Sequence, residues 1–345
     1  MNSKGLFSEF GTQTRKDRQK KEFIDMRIAV LTSGGDAPGM NAAIRAVVRY
    51  AGYKDIEVFG VERGYEGLVN DDMKMLSKRS VSGIVQRGGT MLMTARCPEF
   101  TDYEVRRKAA ENLANRDISG LVVIGGDGSF RGMDALTKDF GIKTVGIPGT
   151  IDNDLAYTDY TLGFDTAVNT VVNNVNNLRD TMSSHERVVV VEVMGRSCGD
   201  IAVYAGVASG AEIILIPERK VDFDEVAKVL SRGKRAGKQS AIIMLAEGAG
   251  PIDNVIAELK SRLPELHFRS CVLGHIQRGG MPSQADRNLA ARFGSRAVEL
   301  LSSGIGGRVI GIKNNQIVDL AVDEALALPH RFNEDLYNLA KILSL

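Results

Sequence analysis

The chain has 345 residues, 43% of them hydrophobic, enough for one large α/β domain or two lobes around a substantial core. Lysine plus arginine (44) nearly balances aspartate plus glutamate (43), so no global field directs the chain to nucleic acid or to a membrane surface. No apolar run reaches the length of a membrane span, and three cysteines without metal-type spacing point to free thiols in a reducing cytoplasm.

Residues 1–25 mix six basic with four acidic side chains and lack an apolar segment. They read as a solvated, disordered tail rather than a secretory signal, with Met26 an alternative start. Arg27 to Leu31 forms a short apolar strand that opens onto Thr-Ser-Gly-Gly-Asp-Ala-Pro-Gly (32–39), followed by a helix through Asn41, Ile44, Val47 and Val48. The glycines allow backbone N–H groups to approach an anion, and Pro38 suits a first helical turn. Arg45 and Arg49 share one face of that helix, either as solvated arginines or as an anion-binding pair. A strand at 57–61 leads through a glycine-rich turn to Gln86-Arg87-Gly88-Gly89-Thr90 and then to Arg96 and Cys97, which Pro98 keeps out of a helix. Val105, Ala109 and Leu113 repeat at helical spacing. The strand Gly120 to Ile124 runs into Gly-Gly-Asp-Gly-Ser (125–129) and a helix at 130–140, a second phosphate cradle in which Asp127 can face a metal ion.

The strand Lys143 to Gly146 opens onto Ile-Pro-Gly-Thr-Ile-Asp-Asn-Asp (147–154). Two carboxylates and a hydroxyl at the carboxyl end of a buried strand lie where open α/β sheets bind ligands, although Asp152 and Asp154 also suit a plain Asx turn. In a helix at 166–179, asparagines 169, 173, 174, 176 and 177 form a polar face opposite Val168, Val171, Val172 and Val175. Arg187 to Val193 is a β-branched strand of the kind buried on both faces, and it ends in Met-Gly-Arg-Ser-Cys-Gly-Asp (194–200). Strands at 212–216, 240–246 and 269–273 then alternate with helices at 223–235, 252–263 and 286–301. Gly-His-Ile-Gln-Arg-Gly-Gly (274–280) follows the last of these strands, Asn314-Asn315 reads as a hairpin turn, and a helix ends the chain. The alternation predicts parallel sheets with helices on both faces. Gln-Arg-Gly-Gly occurs at 86 and again at 277, too short a string to indicate duplication.

Five strings in order, at 32–42, 125–129, 148–154, 191–196 and 274–280, resemble the bacterial ATP-dependent 6-phosphofructokinases from about Arg27 onward. The resemblance implies two Rossmann-like three-layer lobes with mainly parallel sheets and the active site in the cleft between them. Residues 26–163 with 277–327 would form the larger, ATP-binding lobe, and 164–276 with 328–345 the smaller, sugar-phosphate-binding lobe. It implies phosphorylation of fructose 6-phosphate at the 1-hydroxyl by MgATP, in a homotetramer. Asp152 would be the general base, with Thr150 and Asp154 positioning the reacting groups and Arg96 and Arg196 neutralising the transferring phosphoryl group. Gly35, Arg96, Cys97, Gly126, Asp127, Gly128, Ser129 and Gly132 match the family's ATP site, Asp127 being the Mg²⁺ carboxylate. Thr150, Ile151, Asp152, Met194, Gly195, Arg196, Glu247, His275, Ile276, Gln277 and Arg278 match its sugar-phosphate site, completed by Arg187 and Arg269 from a neighbouring subunit.

Gly128 and Gly149 stand where pyrophosphate-dependent relatives tend to carry Asp and Lys, which favours ATP as donor. Arg45, Arg49, Lys78, Arg179, Glu212 and Lys238 match an effector pocket in which ADP activates and phosphoenolpyruvate inhibits. Ala236, Gln239 and Ser240 replace basic residues usual there, so a weakened response is expected, with Arg235 a partial substitute. Thr101 replaces a common arginine in the nucleotide-phosphate region. The rival readings are a pyrophosphate-dependent enzyme, a non-catalytic nucleotide-sensing subunit and an enzyme like the NAD kinases.

Overall fold

The computed structural model describes residues 26–330 and 332–344, so the tail expected at 1–25 lies outside the described residues. In chain order the strands are β1 (Arg27–Thr32), β2 (Glu57–Val61), β3 (Met73–Leu76), β4 (Ile118–Gly125), β5 (Lys143–Pro148), β6 (Val188–Val193), β7 (Ile213–Leu215), β8 (Ala241–Ala246), β9 (Phe268–Val272), β10 (Arg308–Lys313) and β11 (Gln316–Ala321). The helices are α1 (Met40–Ala51), α2 (Gly64–Asn70), α3 (Tyr103–Asn115), α4 (Asp127–Phe140), α5 (Phe164–Ser183), α6 (Asp200–Ser209), α7 (Phe223–Arg235), α8 (Ile252–Arg262), α9 (Gln284–Ser302), α10 (Val322–Leu326) and α11 (Glu334–Leu343).

The strands form a seven-stranded sheet, ordered β11-β10-β5-β4-β1-β2-β3, and a four-stranded sheet, ordered β7-β8-β6-β9. The smaller sheet is parallel throughout, and the larger is parallel except for its antiparallel edges β2–β3 and β10–β11. From β1 the chain continues to β2 on one side, whereas β4 pairs on the other. The loops after β1 and β4 therefore diverge and leave a crevice at their carboxyl ends. In the smaller sheet β6 lies between β8 and β9 and has the same character.

Alternation along the strands sets the layers. Ile28 and Val30 pack into a cluster with Val47 of α1 and Phe293 of α9, while Ala29 and Leu31 face Phe130 and Met133 of α4. Helices α1 and α9 approach closely because Gly294 has no side chain: a Cβ there would lie 2.5 Å from Ala46 Cβ. The first cluster continues through Val171 and Val175 of α5 to Val189 and Ile242 of the smaller sheet, so the two sheets share apolar core. Full burial of a side chain such as Phe293 contributes ~1.5–3 kcal/mol.

Most predicted elements are present, including the Asn314–Asn315 turn, whose φ values of 48° and 61° are those of a tight hairpin. The asparagines of α5 lie opposite buried Val171 and Val175. Three differences have local causes. The glycine-rich stretch after β2 contains α2 and β3, held by the buried side chains of Tyr65, Leu68 and Met73. Helix α6, to which the sequence assigned no element, is buried at Ile201, Ala202, Val203 and Ala205, so it has no polar face to reveal its period. Helix α1 begins at Met40 rather than Pro38 because Gly39 sits at φ 109°.

Candidate active site

The crevice holds a cavity of about 730 Å³ lined from both lobes, by the loops after β1, β4, β5 and β6 and by Arg278 beyond β9. Its floor is the close approach of two backbone segments. Ser33 N–H donates to Ile124 O at 2.9 Å, and a Cβ on Gly125 would lie 2.6 Å from Ser129 Oγ and 2.7 Å from Ser33 O. Only glycine permits that approach. Asp127 is the first residue of α4, so unpaired N–H groups of that helix line the cavity beside it. A Cβ on Gly128 would meet nothing within 4 Å, whereas one on Gly149 would lie 2.9 Å from Ile124 Cγ2. Gly128 is thus open space, and Gly149 is glycine for packing. Near Gly132 the rings of Tyr65 and Phe100 stack at 4.1 Å, and Tyr65 OH donates to Ser129 O at 2.5 Å.

Facing this cradle is the turn 149–154. Asp152 N–H donates to Thr150 Oγ1 at 3.2 Å, and Thr161 Oγ1 donates to Thr150 O at 2.6 Å. Asn153, at φ 54°, locks the turn: its amide donates to Asp200 Oδ2 at 2.9 Å and to Asp159 O at 3.3 Å, and its Oδ1 accepts from Thr161 N–H at 3.0 Å. The Asp152 carboxylate is 1% exposed, and its Oδ1, like that of Asp154, has no hydrogen-bond partner. Burial above all, then the neighbouring charge of Asp154, pushes the Asp152 carboxyl up, and Arg278 and Arg196 pull it back. Burial likewise raises Asp154.

Arg196 Nε stands 3.4 Å from Asp152 Oδ2 with its guanidinium largely in the open cleft. Its backbone is fixed by Glu247, whose Oε1 accepts Arg196 N–H at 2.8 Å. Arg278 Nη1 donates to Asp36 O at 3.2 Å and lies against Gly35, which brings a further arginine to the cavity beside exposed Arg96. Gln277 is fully buried, accepting Met194 N–H and donating to Gly274 O, so it ties the loops after β6 and β9 together. The two Gln-Arg-Gly-Gly strings meet, since a Cβ on Gly88 would lie 2.2 Å from Gly280 O.

Other candidates fall elsewhere. Ile151 is core, with no exposed surface, and Gly195 packs against Cys198 O. His275, Ile276 and Arg269 are exposed around edge strand β9, Arg187 is half-buried just before β6, and none of the four lines the cavity. Arg179 donates to Ser209 O and Gly210 O, Glu212 accepts from Ile242 N–H at 2.7 Å, and Lys238 stands 3.8 Å from Glu212. Glu212 and Lys238 border a pocket of about 570 Å³ also lined by Ala236, Gln239 and Ser240. Arg45 and Arg49 are on α1, and Lys78 lies over Gly52 at its end. Among the described residues no hydrogen bond or ion pair joins these two groups of three.

Sequence reasoning missed Arg131 and Asn153. Arg131 Nε and Nη2 donate to the two Asp127 oxygens at 2.8 and 3.0 Å, an i,i+4 pair that spacing could have revealed. The carboxylates of Asp127, Asp152 and Asp154 line one cavity and offer oxygen, the donor type a hard cation such as Mg²⁺ takes, but their oxygens are not gathered within 4.8 Å of one another as a preformed three-ligand site would need. All three cysteines are free, and no helix among the described residues is long and apolar enough to cross a membrane.

Residues 27–301 match the sequence pattern of the family described as Phosphofructokinase. The chain is 58% identical over 320 residues to an ATP-dependent 6-phosphofructokinase of Clostridium acetobutylicum, covering 92% of this chain and 99% of that protein. An enzyme of the same name from Clostridium botulinum (strain Alaska E43) is 56% identical over 319 residues, with the same coverage. Among solved structures, phosphofructokinase from Saccharomyces cerevisiae superimposes with a TM-score of 0.83 at 38% identity, over 87% of this chain and 45% of that longer one. A pyrophosphate-dependent phosphofructokinase from Marinobacter aquaeolei shares the fold at a TM-score of 0.79 and 21% identity, over 92% and 91% of the two chains. The chain therefore belongs to the phosphofructokinase family.

Proposed function

We propose that the chain transfers the γ-phosphoryl group of ATP to the 1-hydroxyl of fructose 6-phosphate, giving fructose 1,6-bisphosphate and ADP as a cytoplasmic glycolytic enzyme. The observation that carries this reading is a buried carboxylate with a free oxygen, Asp152, opposite a glycine cradle and ringed by arginines. Phosphoryl transfer requires alignment and charge neutralisation more than covalent assistance. As the sugar oxygen bonds to the γ-phosphorus and the bridging P–O bond to ADP breaks, Asp152 accepts the hydroxyl proton. Its raised proton affinity suits a group that must take a proton at neutral pH. Thr150 and Asn153 hold it in position, and Arg196 and Arg96 face the charge on the transferring group.

The open space at Gly128 leaves room for a third phosphate, which favours ATP over pyrophosphate as donor. Mg²⁺ bound with the nucleotide would offset phosphate charge, and Asp127 is the carboxylate available to it once released from Arg131. The larger sheet with its helices, 26–163 and 277–327, would bind nucleotide, and 164–276 with 328–345 the sugar phosphate. Arg187 and Arg269, which lie away from the cavity, would act on a neighbouring subunit's sugar phosphate in a homotetramer. The six effector-site residues form two half-sites that only a subunit contact would unite, for ADP or phosphoenolpyruvate.

The test is a set of initial rates on fructose 6-phosphate with ATP and with pyrophosphate, each with and without ADP and phosphoenolpyruvate. Turnover with ATP supports the reading, and comparable turnover with pyrophosphate overturns the donor assignment. Rates unchanged by either effector would mean that Ala236, Gln239 and Ser240 have disabled the pocket.

A further inference from the structure

Beside the catalytic turn, joined to it through Asn153, lies a cluster that phosphoryl transfer does not use. Cys198 and Asp200 flank Gly199 at the start of α6, and His330 comes from the segment after α10. A sulfur, a carboxylate oxygen and an imidazole nitrogen from these three residues all lie within 4.8 Å of one another. Cys198 Sγ and His330 Nε2 are 3.3 Å apart. A tetrahedral ion holding sulfur at ~2.3 Å and nitrogen at ~2.0 Å imposes a separation of about 3.5 Å. The ligand atoms thus already have nearly the spacing that such an ion needs.

Two further observations point the same way. Asp200 is 6% exposed, and while its Oδ2 accepts from Asn153, its Oδ1 has no partner. Beside it, Glu218 accepts Gly199 N–H through Oε1 at 2.8 Å and leaves Oε2 buried and unpartnered. Buried carboxylate oxygens without donors are costly unless a cation is near. Access exists as well, because Asp200 and exposed His330 border a separate cavity of about 330 Å³.

We infer that Cys198, Asp200 and His330 bind a zinc-type divalent cation, at a site distinct from the nucleotide cleft. Thiolate and imidazole select such an ion over Mg²⁺, which prefers oxygen ligands alone. One thiolate and one carboxylate cancel its charge, the thiol proton leaving to solvent on binding. The bound ion would tether the segment carrying His330 to Asp200, and through Asn153 to the turn that holds Asp152.

The test uses the full chain freed of metal with a chelator and then titrated with Co²⁺ or Zn²⁺ in excess Mg²⁺. The expected result is one ion per chain, a thiolate-to-cobalt charge-transfer band, and a Zn²⁺-dependent rise in the thermal midpoint. Cys198→Ser should abolish the band, and His330→Ala should weaken Zn²⁺ binding at least ~10-fold, whereas Cys97→Ser and Cys271→Ser should leave both unchanged. Should Cys198→Ser fail to fold, His330→Ala carries the test, because that side chain is exposed. No band in the parent protein, a band that persists without Cys198, or Zn²⁺ affinity indifferent to His330 would overturn the inference. None of these readouts depends on kinase activity.

Discussion

Asp152→Asn separates the catalytic reading from a structural one, because the two predict opposite signs. If the carboxylate is the general base, its loss should lower kcat ~10² to 10⁴-fold, or about 2.7–5.4 kcal/mol of transition-state stabilisation, with KM values nearly unchanged. The geometry also predicts a gain in stability. Asp152 is 1% exposed with an unpartnered oxygen, and burial and Asp154 raise its proton affinity in the folded state. A carboxylate whose folded pKa lies above its unfolded value binds protons more tightly when folded, so it costs stability as pH rises from its ordinary value near 3.8 through the folded value. Asparagine has the same shape without the charge and should remove that cost. The assay is steady-state kinetics paired with urea midpoints measured from pH 4 to 8. The variant should be the more stable protein at pH 7, by a margin that widens with pH and then levels off. Turnover within a few-fold of the parent, or a lower midpoint at pH 7, would refute the argument.

Asn153→Ala removes four hydrogen bonds, one of them to a buried carboxylate, and leaves a left-handed residue without its polar side chain. A loss of roughly 2–4 kcal/mol in urea unfolding is expected. Gly128→Asp, with nothing near its Cβ, should fold normally while ATP turnover falls at least ~10-fold; Gly149→Ala, crowding Ile124, should instead lower the thermal midpoint. Arg196→Ala should reduce kcat by ~10² to 10³ and alter stability by less than ~0.5 kcal/mol, since its guanidinium is mostly exposed. Tyr65→Phe removes a buried hydrogen bond to Ser129 O and should cost about 1 kcal/mol of unfolding free energy.

Local chemistry in the sequence was sufficient for the strands other than β3, for the glycine cradles and for the carboxylate pair. Strand ends that open onto Gly-Gly-Asp-Gly-Ser or Thr-Ile-Asp-Asn-Asp are recognisable because a polar, small-residue loop directly after an apolar run has few other uses. Helix α6 escaped because its residues are apolar or small on nearly every face, so no amphipathic periodicity marks it. Asp200 and His330 were passed over for another reason. Their significance lies in partners: Asp200 is 47 residues from Asn153, and His330 is 132 from Cys198. Pairings over such separations are set by which strands lie side by side at the reversal points of the two sheets, and periodicity carries no record of that order. The sequence alone therefore determined which residue types could do the chemistry. The tertiary structure decided which of them share a cavity, since only packing of one sheet against the other brings Arg196 and Arg278 to Asp152.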